Sequence, residues 1–413
     1  MDVEIITIGD EIISGHVVDS NASFIAQQLE TAGLTVKYRS SVGDSVEQIE
    51  EVFRLALKRA SLVICTGGLG PTDDDVTKKA IVKVFKRNLI YHEDVLDDIR
   101  KRFEKRGVEM PGINQNQALL PQGARFFPNK FGSAVGICIA EEGKIFIALP
   151  GVPFEMKQIV TDSVVPYLRS LKTGQVLKVV TLRTTGVIES KLAELIKPKL
   201  KLPSGVKLAY LPSASGVTLR ITATGSDEGE VENKVRDLTR YLESVAGSYI
   251  YGRNSDSLES VVGQLLKDND KTLAVAESCT GGQLGMLITS AAGASSYFLG
   301  GLIAYANEIK IDKLGVASEI IEQHGAVSEQ CAEAMAVGCR NLFGADYALS
   351  ITGTAGPEGG TDSKPVGTTF VALASVHGNR IYEYHFASTR EFNRTRAAHA
   401  ALELLRRDIL DIT

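Results

Sequence analysis

Residues 61–77 read S-L-V-I-C-T-G-G-L-G-P-T-D-D-D-V-T, and this stretch decides the fold of the front half. Leu62 to Thr66 form a short apolar run bounded by turn formers, the length of a buried strand rather than a helix. Gly67, Gly68, Gly70 and Pro71 break the run, and the aspartates after them suit a helix start, where the macrodipole favours negative charge. The flanking sequence repeats the alternation. V-E-I-I-T-I-G (3–9) is an apolar run ending in glycine, and S-N-A-S-F-I-A-Q-Q-L-E-T-A-G (20–33) predicts a helix capped by Ser20 or Asn21 and closed by Gly33. L-T-V-K-Y-R-S-S-V (34–42) is a second strand. Asp44 and Glu47 then read as a capping box ahead of Val46, Ile49, Phe53 and Leu57 at helical spacing. K-I-F-I-A-L-P (144–150) adds a strand, and Pro153 opens a helix striped by Met156, Ile159 and Val160. Strands alternating with helices give an α/β domain built on a parallel sheet, with ligands at the carboxyl ends of the strands.

A chain of 413 residues exceeds one ordinary core, so two or three domains are expected. A net charge of −5 argues against a general nucleic-acid coat. The five cysteines (Cys65, Cys138, Cys279, Cys331, Cys339) include no CxxC pair, so neither a disulfide framework nor a zinc site is expected, and a reducing cytoplasm fits. The first residues, M-D-V-E-I-I-T-I-G-D-E-I, lack the basic start of a signal peptide, and no apolar run reaches membrane-helix length. A cytoplasmic protein is expected, with no membrane partner.

Three domains follow from the pattern: 1–170, a small α+β segment at 171–252, and 255–413. The turn-rich Y-G-R-N-S-D-S (251–257) reads as a linker, and Ser257 caps a helix with Leu258, Val262 and Leu265 on its apolar face. The last segment is a second α/β unit. Its strand T-L-A-V-A-E-S is followed by a helix from Gly281, the apolar stretch G-G-L-I-A-Y-A-N-E-I-K and a helix at 329–343. Three further strands and a terminal helix complete it.

In A-E-S-C-T-G-G (276–282), Ser278 lies where an apolar strand meets a glycine-started helix. That junction exposes a hydroxyl and aims the amides of Thr280, Gly281 and Gly282 at a ligand; a plain N-cap fits the same residues. A serine nucleophile needs a base. No histidine lies in a comparable turn, whereas Lys310 follows an apolar stretch and can act as one if burial lowers its pKa. Tyr305 could relay a proton or orient the lysine. A solvated lysine and a packed aromatic are the bland alternatives. T-G-T-A-G-P-E-G-G (352–360), with Gly353, Thr354, Ala355 and Gly356, permits close ligand approach or makes a long surface turn. Arg390, Arg394 and Arg396 at the start of the last helix oppose its dipole, so they suit an anion such as a phosphate, or else a solvated face.

At the front, the glycine amides of 67–70 can wrap a pyrophosphate. Asp73, Asp74 and Asp75 would repel one another unless a Mg²⁺-type ion lay between them; an acidic helix start is the equal alternative. Asp10, Glu11 and Glu155 could complete the site, although Glu155 at the third helical position also suits a cap.

Taken in order, A-E-S-C-T-G-G, Y-A-N-E-I-K, H-G-A-V-S, S-I-T-G-T-A-G-P and K-P-V-G-T closely resemble the CinA C-terminal domain over essentially all of 255–413. T-I-G-D-E-I, D-S-N, G-G-L-G-P-T-x-D-D-x-T and P-G-V-P-x-E-M resemble the molybdopterin-binding fold found at the front of CinA proteins. The resemblance implies a cytoplasmic, homodimeric hydrolase of pyridine-nucleotide breakdown products. Its rear half would be a nicotinamide mononucleotide amidase with Ser278 as nucleophile, Lys310 as base and Tyr305 assisting, without a cofactor. Its front half would cleave ADP-ribose to AMP and ribose 5-phosphate with a divalent metal (Mg, Co or Mn). There the carried-over ligands are Asp74, Asp75 and Glu155, beside Gly67, Gly68, Gly70, Thr77, Asp10 and Glu11. Two other readings stay open: a front domain that binds a pterin or nucleotide without turnover, and a non-enzymatic competence or damage adaptor. One departure stands out: G-V-I-E-S (186–190) carries Ile188 where many relatives have glycine.

Overall fold

The computed structural model describes residues 1–72, 74–171 and 176–412; Asp73 and residues 172–175, where the middle segment begins, lie outside the described residues. The chain folds as two compact units, Met1–Val179 with Ala223–Asn233, and Val180–Thr222 with Lys234–Thr413.

In the first unit, strands β1 (Val3–Ile8), β2 (Val36–Val42) and β3 (Leu62–Thr66) are followed by a short antiparallel pair, β4 (Leu89–Tyr91) and β5 (Leu119–Pro121). Strands β6 (Arg125–Phe127), β7 (Gly136–Glu141) and β8 (Lys144–Leu149) complete a six-stranded sheet in the order β2-β1-β3-β8-β7-β6. Strands β1, β2, β3 and β8 run parallel, while β7 and β6 are antiparallel additions at one edge. Alternation along the central strands divides the core. Ile6, Ile8, Val63 and Cys65 meet Ile49 and Phe53 of helix Val46–Arg59, while Ile5, Leu62 and Ile64 meet Ile25 and Leu29 of helix Ser20–Thr31. Chain order reverses between β1 and β3, so their carboxyl ends flank the crevice where such sheets bind ligands.

Two caps differ from the sequence reading. Helix Ser20–Thr31 is capped by Asp19, whose carboxylate accepts the Ala22 amide at 2.9 Å, and not by Ser20 or Asn21. Helix Val46–Arg59 is capped by Ser45 rather than Asp44. In both cases a residue one position away has the side chain in reach, a geometry composition does not reveal.

The next sheet joins β9 (Val176–Thr184), β10 (Val206–Ser213), β11 (Gly216–Gly225) and β12 (Ile250–Arg253) in the order β10-β11-β9-β12. Residues 251–253, read as linker, belong to β12 and pair antiparallel with β9, Gly252 opposite Arg183. Asn254 continues the tie through its amide to Thr181 O at 2.8 Å. Ile188 has φ −85° and ψ 155°, an extended backbone open to any residue, so its turn has no need of the missing glycine.

The rear sheet has the order β14-β13-β15-β16-β17, from β13 (Leu273–Glu277), β14 (Phe298–Ile303), β15 (Tyr347–Gly353), β16 (Thr368–Ser375) and β17 (Gly378–His385). Parallel β14, β13 and β15 place β13 centrally, and all five of its residues are buried. Helices Leu258–Asp268, Gln283–Ser290 and Arg390–Ile409 cover one face, and Asn307–Leu314 and Glu329–Phe343 the other. Ser257 forms the expected cap, reciprocated by Ser260. All five cysteines are buried and unpaired, and no described helix is long and apolar enough to cross a membrane.

Candidate active sites

Ser278 follows the last residue of β13. Its amide donates to Ile351 O at 2.9 Å, and Gly281 N returns to Ser278 O at 3.1 Å, closing a tight turn. Gly281 (φ +59°) and Gly282 (φ +94°) both occupy the left-handed region, so the G-G pair is required by backbone geometry. The helix starts at Gln283, later than the sequence reading, with Gly282 as N-cap. The expected amide cradle is only partly available. The buried carboxylate of Glu277 accepts from Gly282 N (3.0 Å), Leu284 N (3.0 Å) and Gly285 N (2.8 Å). Gly281 and Gly282 therefore offer no free amide. Among the described residues, no other residue accepts from the amides of Cys279 and Thr280, which remain for a ligand oxygen.

Lys310 is 1% exposed, in the helix Asn307–Leu314. Its Nζ donates to Ala304 O at 2.9 Å and Tyr305 O at 3.0 Å. Ala304 N in turn donates to Glu277 O at 2.8 Å, fixing this turn to the strand end that carries Ser278. Burial holds the Lys310 pKa below its ordinary value against the opposing pull of Cys331, Cys279 and Glu308. The two carbonyls accept two of the amine's N–H groups. Tyr305 orients the lysine through its backbone carbonyl. Its ring is 61% exposed, and its hydroxyl accepts from Arg390 Nη2 at 3.3 Å.

Arg390 also donates to Gly356 O at 2.9 Å, and buried Asn393 donates to Ala355 O at 3.1 Å, so the last helix pins the glycine loop that follows β15. Thr354 N donates to Thr368 O and Gly367 N to Thr354 O, tying the start of the loop, after Gly353, to β16. Arg394 clamps Thr280 O with Nη2 at 2.6 Å and Nε at 3.2 Å. Arg396 does not join them: its guanidinium lies over the rings of Phe392 (5.3 Å) and Phe386 (5.8 Å). The spacing explains the split, because positions 390, 393 and 394 share a helical face and 396 does not. Glu277 and Asn393 were missed by the sequence reading, although the 390/393/394 spacing was a usable signal for the second.

At the front crevice, Gly67 (φ +116°) lies so close to β1 that a Cβ there would stand 2.1 Å from Ile8 O. Thr77 organises the turn, its hydroxyl donating to Gly67 O at 2.8 Å and its amide to Gly68 O at 3.1 Å. Asp75 is part of the same turn: its carboxylate accepts from Gly70 N (2.7 Å), Thr72 N (2.9 Å) and the Thr72 hydroxyl (2.6 Å). Gly70's amide is thus not free for a pyrophosphate.

The expected trio Asp74, Asp75 and Glu155 is not brought together. Asp74 is exposed, Asp75 faces its own turn, and Glu155 accepts from Asn129 Nδ2 at 2.6 Å. Among the described residues no three His, Cys, Asp or Glu side chains are grouped to hold a metal ion. A different acidic neighbourhood forms instead. Asp10 N donates to Asp44 Oδ2 (3.0 Å) and Asp44 N to Asp10 Oδ1 (3.1 Å). Burial, then the charges of Asp10, Glu11 and Asp75, raise the Asp44 pKa against the Asp10 amide. Lys78, a further residue missed from the sequence, donates to Asn116 O at 2.8 Å. Its pKa is lowered to about 8 by burial, with Asp75 opposing.

Residues 255–409 match the CinA C-terminal domain, 4–170 the probable molybdopterin binding domain, and 180–252 the damage-inducible protein CinA KH domain. A CinA-like protein of Cytophaga hutchinsonii is 41% identical over 99% of this chain and 98% of its own length. One of Nostoc punctiforme is 42% identical over 99% of this chain and all of its own. A crystal structure of a CinA superfamily protein from Escherichia coli is 35% identical, covering 36% of this chain and 87% of that chain at a TM-score of 0.35. With such identity along its whole length, the chain belongs to the CinA family.

Proposed function

We propose that the chain is a two-site hydrolase of pyridine-nucleotide breakdown products, deamidating nicotinamide mononucleotide at Ser278 and cleaving ADP-ribose at the front crevice. The observation that carries the first half is the buried Lys310 amine, held by two carbonyls on the turn fixed to the strand end of Ser278. A buried lysine that, among the described residues, forms no ion pair costs stability, which a pure adaptor has no reason to bear. In the proposed reaction, Ser278 Oγ attacks the carboxamide carbon while its proton passes to Lys310 Nζ. The developing oxyanion is met by the amides of Cys279 and Thr280. Collapse expels ammonia, which takes the lysine's proton, and leaves an acyl-serine. Water, deprotonated by Lys310, then releases nicotinic acid mononucleotide. Arg390 and Arg394 serve the phosphate with the donors their carbonyl contacts leave over.

For the front half, the Gly67–Gly68 turn at the β1/β3 crevice, with Lys78 beside it, supports a phosphorylated ligand. Among the described residues no three acidic side chains are grouped to hold a divalent ion, so the residues present do not form a resident metal site; an ion that arrives with the pyrophosphate would offset its charge. The matches at 4–170, 180–252 and 255–409 support domains at 1–170, 171–252 and 255–413. The deciding experiment is incubation of the pure protein with each substrate, with and without metal, and identification of products by mass. Absence of ammonia from well-folded protein would remove the amidase and leave the adaptor reading.

A further inference from the structure

The helix Arg390–Ile409 meets the rear site with its first turns, where Arg390, Asn393 and Arg394 hold Gly356, Ala355 and Thr280. Its far end carries a second set of charges. Arg406 is 2% exposed and Glu403 5%. Arg406 donates from Nε to Glu403 Oε2 at 2.7 Å and from Nη2 to Oε1 at 3.0 Å, and Arg407 Nε adds a bond to Oε1 at 2.9 Å. The pair does not close on itself. Arg406 Nη2 also donates to Ser248 O at 2.7 Å, and a Cβ on Gly186 (φ +70°) would stand 3.2 Å from Glu403 Oε1. Both of these residues belong to the middle segment, where Thr185 N donates to Tyr249 O at 3.0 Å. Arg407 lies over the Tyr249 ring at 5.5 Å, and Tyr251 packs on the rear core. The G-V-I-E-S turn at 186–190 therefore abuts the last helix.

A buried ion pair is a poor source of stability, since apolar residues of the same volume do as well; its best-attested use is to fix register. Here it fixes the register of the last helix on the middle segment. Two stretches of that segment, at Gly186 and at Ser248, meet one carboxylate–guanidinium pair, and the planar fork of the guanidinium fits one placing of the helix along its axis. About 18 Å along the same helix from Arg406, at 1.5 Å per residue, lies Arg394. A rigid rod shifted at one end shifts at the other. We infer that Glu403 and Arg406 are positioning residues of the rear site, keyed to the middle segment and acting through the helix on Arg390, Asn393 and Arg394. The inference rests on the reading of that site as a nicotinamide mononucleotide amidase.

The test uses two full-length variants shown to be folded by circular dichroism. Gly186→Val presses on Glu403 from the middle segment and alters no residue of the helix; Arg406→Met removes the key. Both should raise KM for nicotinamide mononucleotide roughly tenfold and leave kcat, and the pH at which kcat/KM rises, unchanged, because displaced holding groups weaken the grip without touching Ser278 or Lys310. Arg406→Lys, which keeps the charge but not the fork, should lie between wild type and Arg406→Met. A merely structural role would lower the active fraction, and with it kcat, at unchanged KM. That pattern, or a wild-type KM in either variant, overturns the inference. Hydrogen exchange reads the coupling without the amidase. The stretch 390–398 should exchange faster in Gly186→Val than in wild type, and helix Glu329–Phe343 equally in both. Faster exchange in a protein that releases no ammonia removes the amidase and keeps the coupling. Ammonia release with unchanged exchange at 390–398 does the reverse.

Discussion

The carboxylate of Glu277 accepts the amide of Gly282 at 3.0 Å, closing from within the turn that carries Ser278. Leu284 and Gly285 add their amides to the same group, so the positive end of the helix is neutralised by protein and not held open for substrate. Ser278 is presented by a turn whose free donors, among the described residues, have been reduced to those of Cys279 and Thr280.

Replacing Glu277 by Ala should therefore destabilise the protein by about 3 kcal/mol or more, since buried amides lose their acceptor. Glu277→Gln, which keeps one acceptor oxygen, should lose less. Urea unfolding followed by circular dichroism checks both. An alanine variant as stable as wild type would mean that water or backbone shifts satisfy these amides.

Ser278→Ala should reduce ammonia release from nicotinamide mononucleotide by about a thousandfold or more while binding of the mononucleotide persists. Residual activity above a tenth of wild type, free of contamination, would remove Ser278 as nucleophile. Lys310→Arg should be equally inactive, because a guanidinium stays charged and cannot accept the proton. Near-normal turnover with arginine would make the role of Lys310 electrostatic.

The pH profile follows from the sign of the lysine's shift. Lys310 works as a base only when neutral, and burial lowers its pKa. The deamidation rate should rise with pH through that lowered pKa and level off above it. In kcat/KM against pH, the rising limb should lie below the usual lysine value of about 10.4. A limb at the usual value, or a rate that falls with pH over this range, would exclude a buried neutral lysine.

Chelation should stop ADP-ribose hydrolysis and spare deamidation, since the proposed amidase uses Ser278, Lys310 and backbone amides alone. Asp44→Ala should weaken the first activity and leave the second unaltered, because it removes the oxygen that accepts the Asp10 amide at 3.0 Å beside the crevice. Product analysis for both substrates before and after chelator is the measurement. Chelator-sensitive deamidation would place a metal in the rear site. Metal-independent ADP-ribose cleavage would reduce the acidic neighbourhood to turn and cap.

Local chemistry made much of this protein readable in one dimension. Apolar runs such as Leu62–Thr66 and Leu273–Glu277 became central buried strands because period and length depend only on neighbouring residues. The glycines at 67–68 and 281–282 marked turns because no other residue reaches those backbone angles without strain. Partner choice was another matter. Asp44 pairs with Asp10, 34 positions away, instead of capping its own helix; Glu155 turns to Asn129; Arg396 lies on Phe386 and Phe392. Whether Lys310 is a surface charge or a buried amine was decided by how helix Asn307–Leu314 packs against β13 and β14. A polar side chain bonds to what the folded chain brings within about 3 Å. Sequence supplies its donors and acceptors, and tertiary packing alone decides which of them meet.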